Sequence, residues 1–374
     1  MTKAPRFSIR ALLTRVASLQ LSVVCLSLLL ILTAWGTVYQ AEHGLYAAQI
    51  RFFYSWIFIN WGFVPFPGAQ LVLWILFCNL TASMIVRTRY DFKNIGNIVT
   101  HGGLLFLLAG TFVTHRYAVE SYLPLAEGES SNVSIDRRHW ELAVWAEPAE
   151  GEGKKVVAAD ISSGSEGRTL DFSEVGMTAS VEKYYQNSVA GSGMNPADIG
   201  QLMSKKPASD PEDNIAGAKL RITPAGEADQ EILLYGAEDE PLSLAVHGKT
   251  VHVALRKKRY PLPFSISLLD VKKEDYPGTG IAKSYQSEVI LQGDAGMNRK
   301  VRIYMNHPLR EKDFTFYQAS YSAEGGHESS VFAVVENGGR LIPYISSTLI
   351  FGGMLVHFVI MLFGYAGRAR RGAP

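Results

Sequence analysis

The sequence predicts a membrane protein with four transmembrane α-helices and a large extracytoplasmic, mainly antiparallel β domain between the third helix and the fourth. Three observations predict it. Charge-free apolar stretches occupy Val16 to Ala41, Phe52 to Val86, Asn94 to Thr114 and Leu341 to Gly367, each long enough to cross a hydrocarbon core about 30 Å thick. Between the last two lies an uninterrupted polar stretch of roughly 225 residues, enough for one or two domains. Lysines and arginines cluster beside the span ends, where positive charge marks the cytoplasmic side.

The first span, residues 17–38, follows Lys3, Arg6, Arg10 and Arg15. A secretory signal has an apolar region of only about 7–15 residues and a small-residue cleavage site. This run is nearer 25 residues and has no obvious site, so it is expected to stay in place as a span. The second stretch is too long for one helix and is divided by Pro65, Pro67 and Gly68. Its first part is rich in aromatics (Phe52, Phe53, Tyr54, Trp56, Phe58, Trp61, Phe63), and rings of this kind favour headgroup depth. Residues 45–67 are therefore expected to lie in the interface and residues 69–86 to span. Arg87, Arg89 and Lys93 lead into the third span, residues 95–114. They agree with the N-terminal cluster and with Arg368, Arg370 and Arg371 in placing both termini and the second-to-third connection in the cytoplasm of a cell with an inner (cytoplasmic) membrane. The divisions expected are an N-terminal membrane domain, 1–115, an extracytoplasmic domain, 116–340, and a final span with a basic tail, 341–374.

In the extracytoplasmic stretch Phe264, Ile266 and Leu268 alternate with serines, and Val301, Ile303 and Met305 alternate with Arg302 and Tyr304. Alternation with period two is the mark of a half-buried strand. Short runs at Glu141 to Trp145, Lys219 to Thr223, Glu231 to Tyr235 and Thr250 to Leu255 repeat it at sandwich-like spacing. Ser188 to Asn214, rich in Ser, Gly, Pro and Asp, reads as a long loop.

The chain is 47% hydrophobic with a net charge of +1, which gives nucleic acid no electrostatic foothold. No nucleotide-binding glycine loop, HExxH or GxSxG is present, so nothing points to nucleotide use or hydrolysis. The two cysteines, Cys25 and Cys78, both fall in predicted spans and form neither CxxC nor CxxCH; packing is their expected role.

Two ionisable rings inside spans call for a reason. His101 in the third span and His357 in the fourth each lie about six residues, or about 9 Å, from the cytoplasmic end, so equal depth is expected. A neutral imidazole is a good ligand for haem iron, and Gly102-Gly103 and Gly352-Gly353 would let a flat macrocycle or another helix approach closely. The plainer alternative is that each histidine bonds a neighbouring helix while the glycines serve packing. His43 and His115 fall at the extracytoplasmic ends of spans, where a surface role is expected. His307, before a proline, reads as part of a turn.

A series of motifs carries a resemblance. Gly36-Thr37-Val38-Tyr39-Gln40, Cys78-Asn79-Leu80, His101-Gly102-Gly103-Leu104-Leu105 through Gly110, Glu127-Gly128-Glu129, Asn306-His307-Pro308-Leu309 and Tyr317-Gln318-Ala319-Ser320-Tyr321 follow one another in this order. In this order and topology the chain resembles ResB-like (CcsB) proteins of system II cytochrome c biogenesis. The resemblance implies work with a CcsA-type membrane partner to move or hold haem b and deliver it to apocytochrome c. It also implies supply by a thiol–disulfide reductant, and at most a part in a haem lyase complex. By motif position His101 is the implied axial ligand to haem iron; His357 rests on depth alone. The competing readings are a b-type membrane cytochrome with His101 and His357 as a bis-histidine pair, and a non-catalytic assembly scaffold.

Overall fold

The computed structural model describes residues 9–60, 62–147, 154–191, 201–279, 282–293, 298–324 and 327–371. Lys3, Arg6, Trp61 and residues 192–200 lie outside them, as do the side chains of Arg368, Arg370 and Arg371. The chain divides into two compact units, one formed by Met1–Ala118 with Asn337–Pro374 and the other by Val119–Glu336.

The first unit contains α1 (Ile9–Val16), α2 (Leu19–His43), α3 (Leu45–Ala48), α4 (Ala69–Val86), α5 (Ile95–Tyr117) and α6 (Ile342–Arg371). Helices α2, α4, α5 and α6 are each long and apolar enough to cross a membrane. Between α3 and α4 the chain makes a π-helical turn, Gln49–Phe53, and an antiparallel hairpin of β1 (Ile57–Asn60) and β2 (Val64–Pro67). Proline has no N–H to continue a helix, and Pro65 and Pro67 sit in β2. Gly68 then caps α4 in extended conformation. The aromatics of this segment divide between two environments. Trp56 and Phe63 are exposed, whereas Phe52 and Phe58 are buried and close around Trp35 of α2 at ring separations of 5.4 and 5.8 Å. Arg51 joins them, donating to the Ile59 carbonyl and to Asn60 Oδ1 while lying over the Tyr39 ring. Tilted and edge-to-face ring contacts thus hold this segment against α2.

Helix α1 is amphipathic, with Ile9, Leu12, Leu13 and Val16 on one face and Arg10, Thr14 and Arg15 on the other. What separates it from α2 is Asn79 of α4, a buried amide. Its Nδ2 donates to the Val16 and Ser18 carbonyls at 2.6 and 2.9 Å, and its Oδ1 accepts from Ser22 Oγ at 2.6 Å. These three bonds tie α4 to the junction of α1 and α2.

The second unit is antiparallel throughout its described pairings. Its strands are β3 (Val119–Ala126), β4 (Ser130–Ala146), β5 (Val157–Ile161), β6 (Thr169–Phe172), β7 (Met177–Tyr185), β8 (Ser188–Gly191) and β9 (Gln201–Ser204). There follow β10 (Gly217–Pro224), β11 (Gln230–Tyr235), β12 (Leu242–Val246), β13 (Lys249–Asp275) and β14 (Ala282–Gln292). The last four are β15 (Asn298–Tyr304), β16 (Leu309–Glu311), β17 (Phe314–Glu324) and β18 (His327–Glu336). Every run read as a strand from alternation falls inside one of these, except that Met305 lies one residue past β15. Ser188 to Asn214 does not behave as one long loop, since β8 and β9 pair within it, Val189 opposite Met203 and Ala190 opposite Leu202. Polar composition hid the four-residue strands.

A ten-stranded sheet in the order β15-β14-β13-β4-β3-β18-β17-β16, with β12 beside β13 and β5 beside β4, accompanies a four-stranded sheet, β11-β10-β7-β6. Strand β13 serves two cores. Its first half sends Val251, Val253 and Leu255, with Leu142 of β4, against the four-stranded sheet, where Val181, Leu220 and Leu234 meet them. Its second half sends Leu262, Phe264, Ile266 and Leu268 into a core with Leu123, Phe316 and Phe332. Shifts of register against β4 at Lys257/Arg259 and Pro261/Ile266 mark the change, as bulges and prolines bend a strand that would otherwise run straight. Around the second core the two ends of the sheet approach, and Arg299 of β15 pairs with Glu311 of β16 at 2.9 Å.

Candidate functional site

Helices α5 and α6 run antiparallel along a seam set by glycine. Gly96, Gly103 and Gly110 are buried and recur every seven residues, two turns of helix. A methyl group at Gly96 would strike the His357 backbone, one at Gly103 would press on Leu349 and Ile350 at 3.0 Å, and one at Gly110 would strike Ile342. From the other side Gly353 lies against Thr100 and the Gly96 carbonyl, 2.6 and 2.8 Å from where its Cβ would be. In each glycine pair noted in the sequence only one member packs: Gly102 and Gly352 face open space.

This seam fixes where the two histidines of the candidate spans go. His357 lies in it, with its backbone on Gly96. Its Nδ1 is buried and has no hydrogen-bond partner among the described residues, as is true of Ser346 Oγ, three turns earlier on the same stripe. His101 lies outside the seam, about 160° around α5 from Gly103 at about 100° per residue. Equal depth is not found either. The α6 backbone at His357 meets Gly96, five residues and about 7.5 Å before His101 along the α5 axis. The expectation failed because counting from helix ends ignores the axial offset of two helices of different length.

His101 is half-buried, and its Nδ1 lies 2.9 Å from the Asn97 carbonyl, one turn back. A carbonyl only accepts, so Nδ1 is the donor, and in a neutral ring that leaves the lone pair on Nε2. A ring N–H bonded to a carbonyl is the arrangement that fixes tautomer and orientation in metal-ligating histidines. Gly102 beside it leaves open space where any other residue would place a side chain. These residues fit a haem iron ligand. Among the described residues no three His, Cys, Asp or Glu side chains gather to hold an ion, so the chain offers single imidazoles rather than a cage.

The remaining motif residues divide between scaffold and surface. Gly36 gives the Phe53 ring room, at 3.0 Å from where its Cβ would be. His43 stacks on Tyr39 at 3.9 Å. Glu127-Gly128-Glu129 forms the β3–β4 turn, with Gly128 at φ 82° and Glu127 accepting from the Val271 N–H. Asn306 takes φ 64° in the turn after β15, and His307 stacks on Tyr304 at 4.1 Å with its Nδ1 against the Met305 carbonyl. Phe316 is fully buried, and Gln318 links the buried hydroxyls of Ser287 and Ser330.

Sequence reading missed three features. Asn79 was visible only as part of a motif. The buried Asp136 carboxylate accepts from the backbone N–H groups of Arg138 and His139, from His139 Nδ1 at 2.8 Å and from the Tyr260 hydroxyl. Burial raises its pKa, but the imidazole and the two amides outweigh that and hold it down at about 2, while the carboxylate in turn raises His139. The third is a cavity of about 440 Å³ at the C-terminal end of α5, with His115 in its wall.

Residues 240–360, which run from before β12 into α6, match the ResB-like family. Over 109 residues, 28% of this chain, the sequence is 29% identical to Protein NrfI of Wolinella succinogenes, and the match spans 12% of that protein's length. His357 lies inside the family match and His101 outside it. The chain thus carries a ResB-like segment, and the family resemblance read from the motif series is borne out.

Proposed function

We propose that this chain is the ResB-like member of a cytochrome c maturation complex in the cytoplasmic membrane. Both termini lie in the cytoplasm and the β-rich unit lies on the extracytoplasmic side. With a CcsA-type membrane partner the chain holds haem on its way to covalent attachment to apocytochrome c, and His101 is the iron ligand it contributes.

The observation that carries this reading is the setting of His101: Nδ1–H held by the Asn97 carbonyl, which in the neutral ring leaves Nε2 as the ligand atom, and open space at Gly102. Bound haem supplies an iron that accepts the imidazole lone pair. The chain's own contribution is to fix that imidazole on a helix whose opposite face is locked to α6, so that the ring can be met from outside the seam. His357, on the locked side, has no such opening. One ligand from this chain and one from a partner accounts for that asymmetry better than a bis-histidine pair within the chain.

The test is assembly of a reporter cytochrome c in cells that depend on this chain and its CcsA-type partner. His101→Ala is expected to abolish covalently attached haem at normal protein level, and His357→Ala to retain most of it. Full assembly with His101→Ala, or equal loss with both variants, would remove the assignment.

A further inference from the structure

The cavity at the C-terminal end of α5 lies among the π-helical turn, the first turns of α4 and α6, and the last turns of α5. Its volume, about 440 Å³, falls within the range of small-molecule sites, about 300–1,000 Å³. No Lys, Arg, Asp or Glu is among the described residues that line it. A charged group taken out of water needs a counter-charge or a dense set of hydrogen bonds, so this wall suits an uncharged ligand.

Two parts of the wall differ in chemistry. One is aromatic. Phe112 presents a ring held by Trp74, stacked at 4.1 Å, and by Phe77, edge-on at 6.1 Å, and Tyr54 joins it from the end of the π-helical turn. A ring fixed in this way is a ready surface for another flat ring. The other part is polar. Gln70, in the first turn of α4, and Thr114, in the last turn of α5, are both half-buried, and among the described residues neither side chain makes a hydrogen bond. Gln70 offers two N–H groups and Thr114 one O–H. They belong to different helices, so a ligand with an acceptor at each of two edges can meet both. The mouth includes the exposed Thr111 and Pro343, each within a candidate membrane span, so the cavity opens on a side of the helices that a membrane would cover.

We infer that this cavity binds the head group of an isoprenoid quinone, with the ring against Phe112, the two carbonyl oxygens accepting from Gln70 and Thr114, and the apolar tail leaving through the mouth into lipid. None of these residues is one proposed to hold haem. A phospholipid, a fatty acid or haem would bring anionic oxygens to a wall that has no cation to meet them. A bare acyl chain would leave both donors unused. A quinone is flat and uncharged and has an acceptor at each of two opposite edges, so it uses the aromatic and the polar parts together.

The test is photolabelling of the purified full-length chain in detergent with an azido-benzoquinone carrying a decyl tail, with and without excess decylubiquinone, followed by peptide mass spectrometry. Label is expected on peptides from the first turns of α4 and the last turns of α5, and decylubiquinone is expected to suppress it. Gln70→Leu with Thr114→Val removes both donors at similar size and should raise the decylubiquinone concentration for half suppression about ten-fold. Thr111→Trp narrows the mouth and should reduce label at these peptides with both donors in place. Both variants are expected to stay monodisperse on size exclusion, which separates a lost site from a lost fold. Label spread over the exposed helix faces of the native chain and not displaced by decylubiquinone would mean partition alone and would overturn the inference. So would an unchanged half-suppression concentration in the double variant, or displacement of the label by haemin or phosphatidylglycerol at lower concentration than by decylubiquinone.

Discussion

Asp136 and His139 are three residues apart at the bend between the two cores, where β4 and β13 lose register, and their bond makes the β-rich unit sensitive to pH. The carboxylate pKa is depressed from an ordinary 3.8 to about 2. Its stabilising share is therefore present above about 3.8 and is lost as pH falls through about 2. The imidazole pKa is raised above its ordinary 6.5. Its share is present below 6.5 and is lost as pH rises through the raised value. Asp136→Asn is expected to destabilise the full-length chain by about 1–2 kcal/mol at pH 5, a difference that closes as pH approaches 2. Thermal melting followed by tryptophan fluorescence across that range measures it, and a gap that does not narrow in acid would contradict the assigned pair. The sequence did not reveal this pair, because an Asp and a His three apart along an extended strand need not meet. They meet here because the register shift folds the backbone back upon Asp136.

Among elements, the α5/α6 seam makes a prediction that composition could not. Gly353→Leu drives a side chain into Thr100 and the Gly96 carbonyl and should cost about 1–3 kcal/mol, with reduced accumulation of the chain. Gly352→Leu, one residue away and open, should accumulate normally. Equal loss would mean that the helices do not meet along this stripe. Asn79→Ala removes three hydrogen bonds at the α1–α2 junction and should cost about 2 kcal/mol. It should also free α1, raising the labelling rate of a cysteine placed at Leu12; an unchanged rate would show that Asn79 does not hold the bend. Span locations were legible because four runs of apolar residues exceed bilayer thickness, and Gly68 marked the start of α4. Which glycine of each pair faces the neighbour was not legible, because that depends on the axial offset between helices. The burial of Phe52 and Phe58 was hidden for a similar reason, since their partner Trp35 is on a different helix.

For the whole molecule, alternation of apolar residues marked β4, β10, β11, β13 and β15 but did not show that one 27-residue strand, β13, would serve two cores. That follows from prolines and bulges whose effect is felt across the sheet. His101 was legible as a candidate because an ionisable ring in a span is conspicuous, whereas the cavity beside His115 was not, because its wall is made by four segments distant in sequence. The proposed orientation is checked by reporter fusions: one at residue 90 should be cytoplasmic and one between residues 188 and 191 exported, and the reverse pattern would overturn it.

The central claim, that this chain gives haem iron one axial ligand and that the ligand is His101, is tested most directly on the purified complex with the proposed CcsA-type partner. Soret absorbance is measured for the native complex, His101→Ala and His357→Ala, with and without added imidazole. The account predicts that His101→Ala loses or shifts the band, that imidazole partly restores it by occupying the vacated position, and that His357→Ala leaves the band as it was. A native spectrum from His101→Ala, or an equal disturbance from His357→Ala, would contradict it.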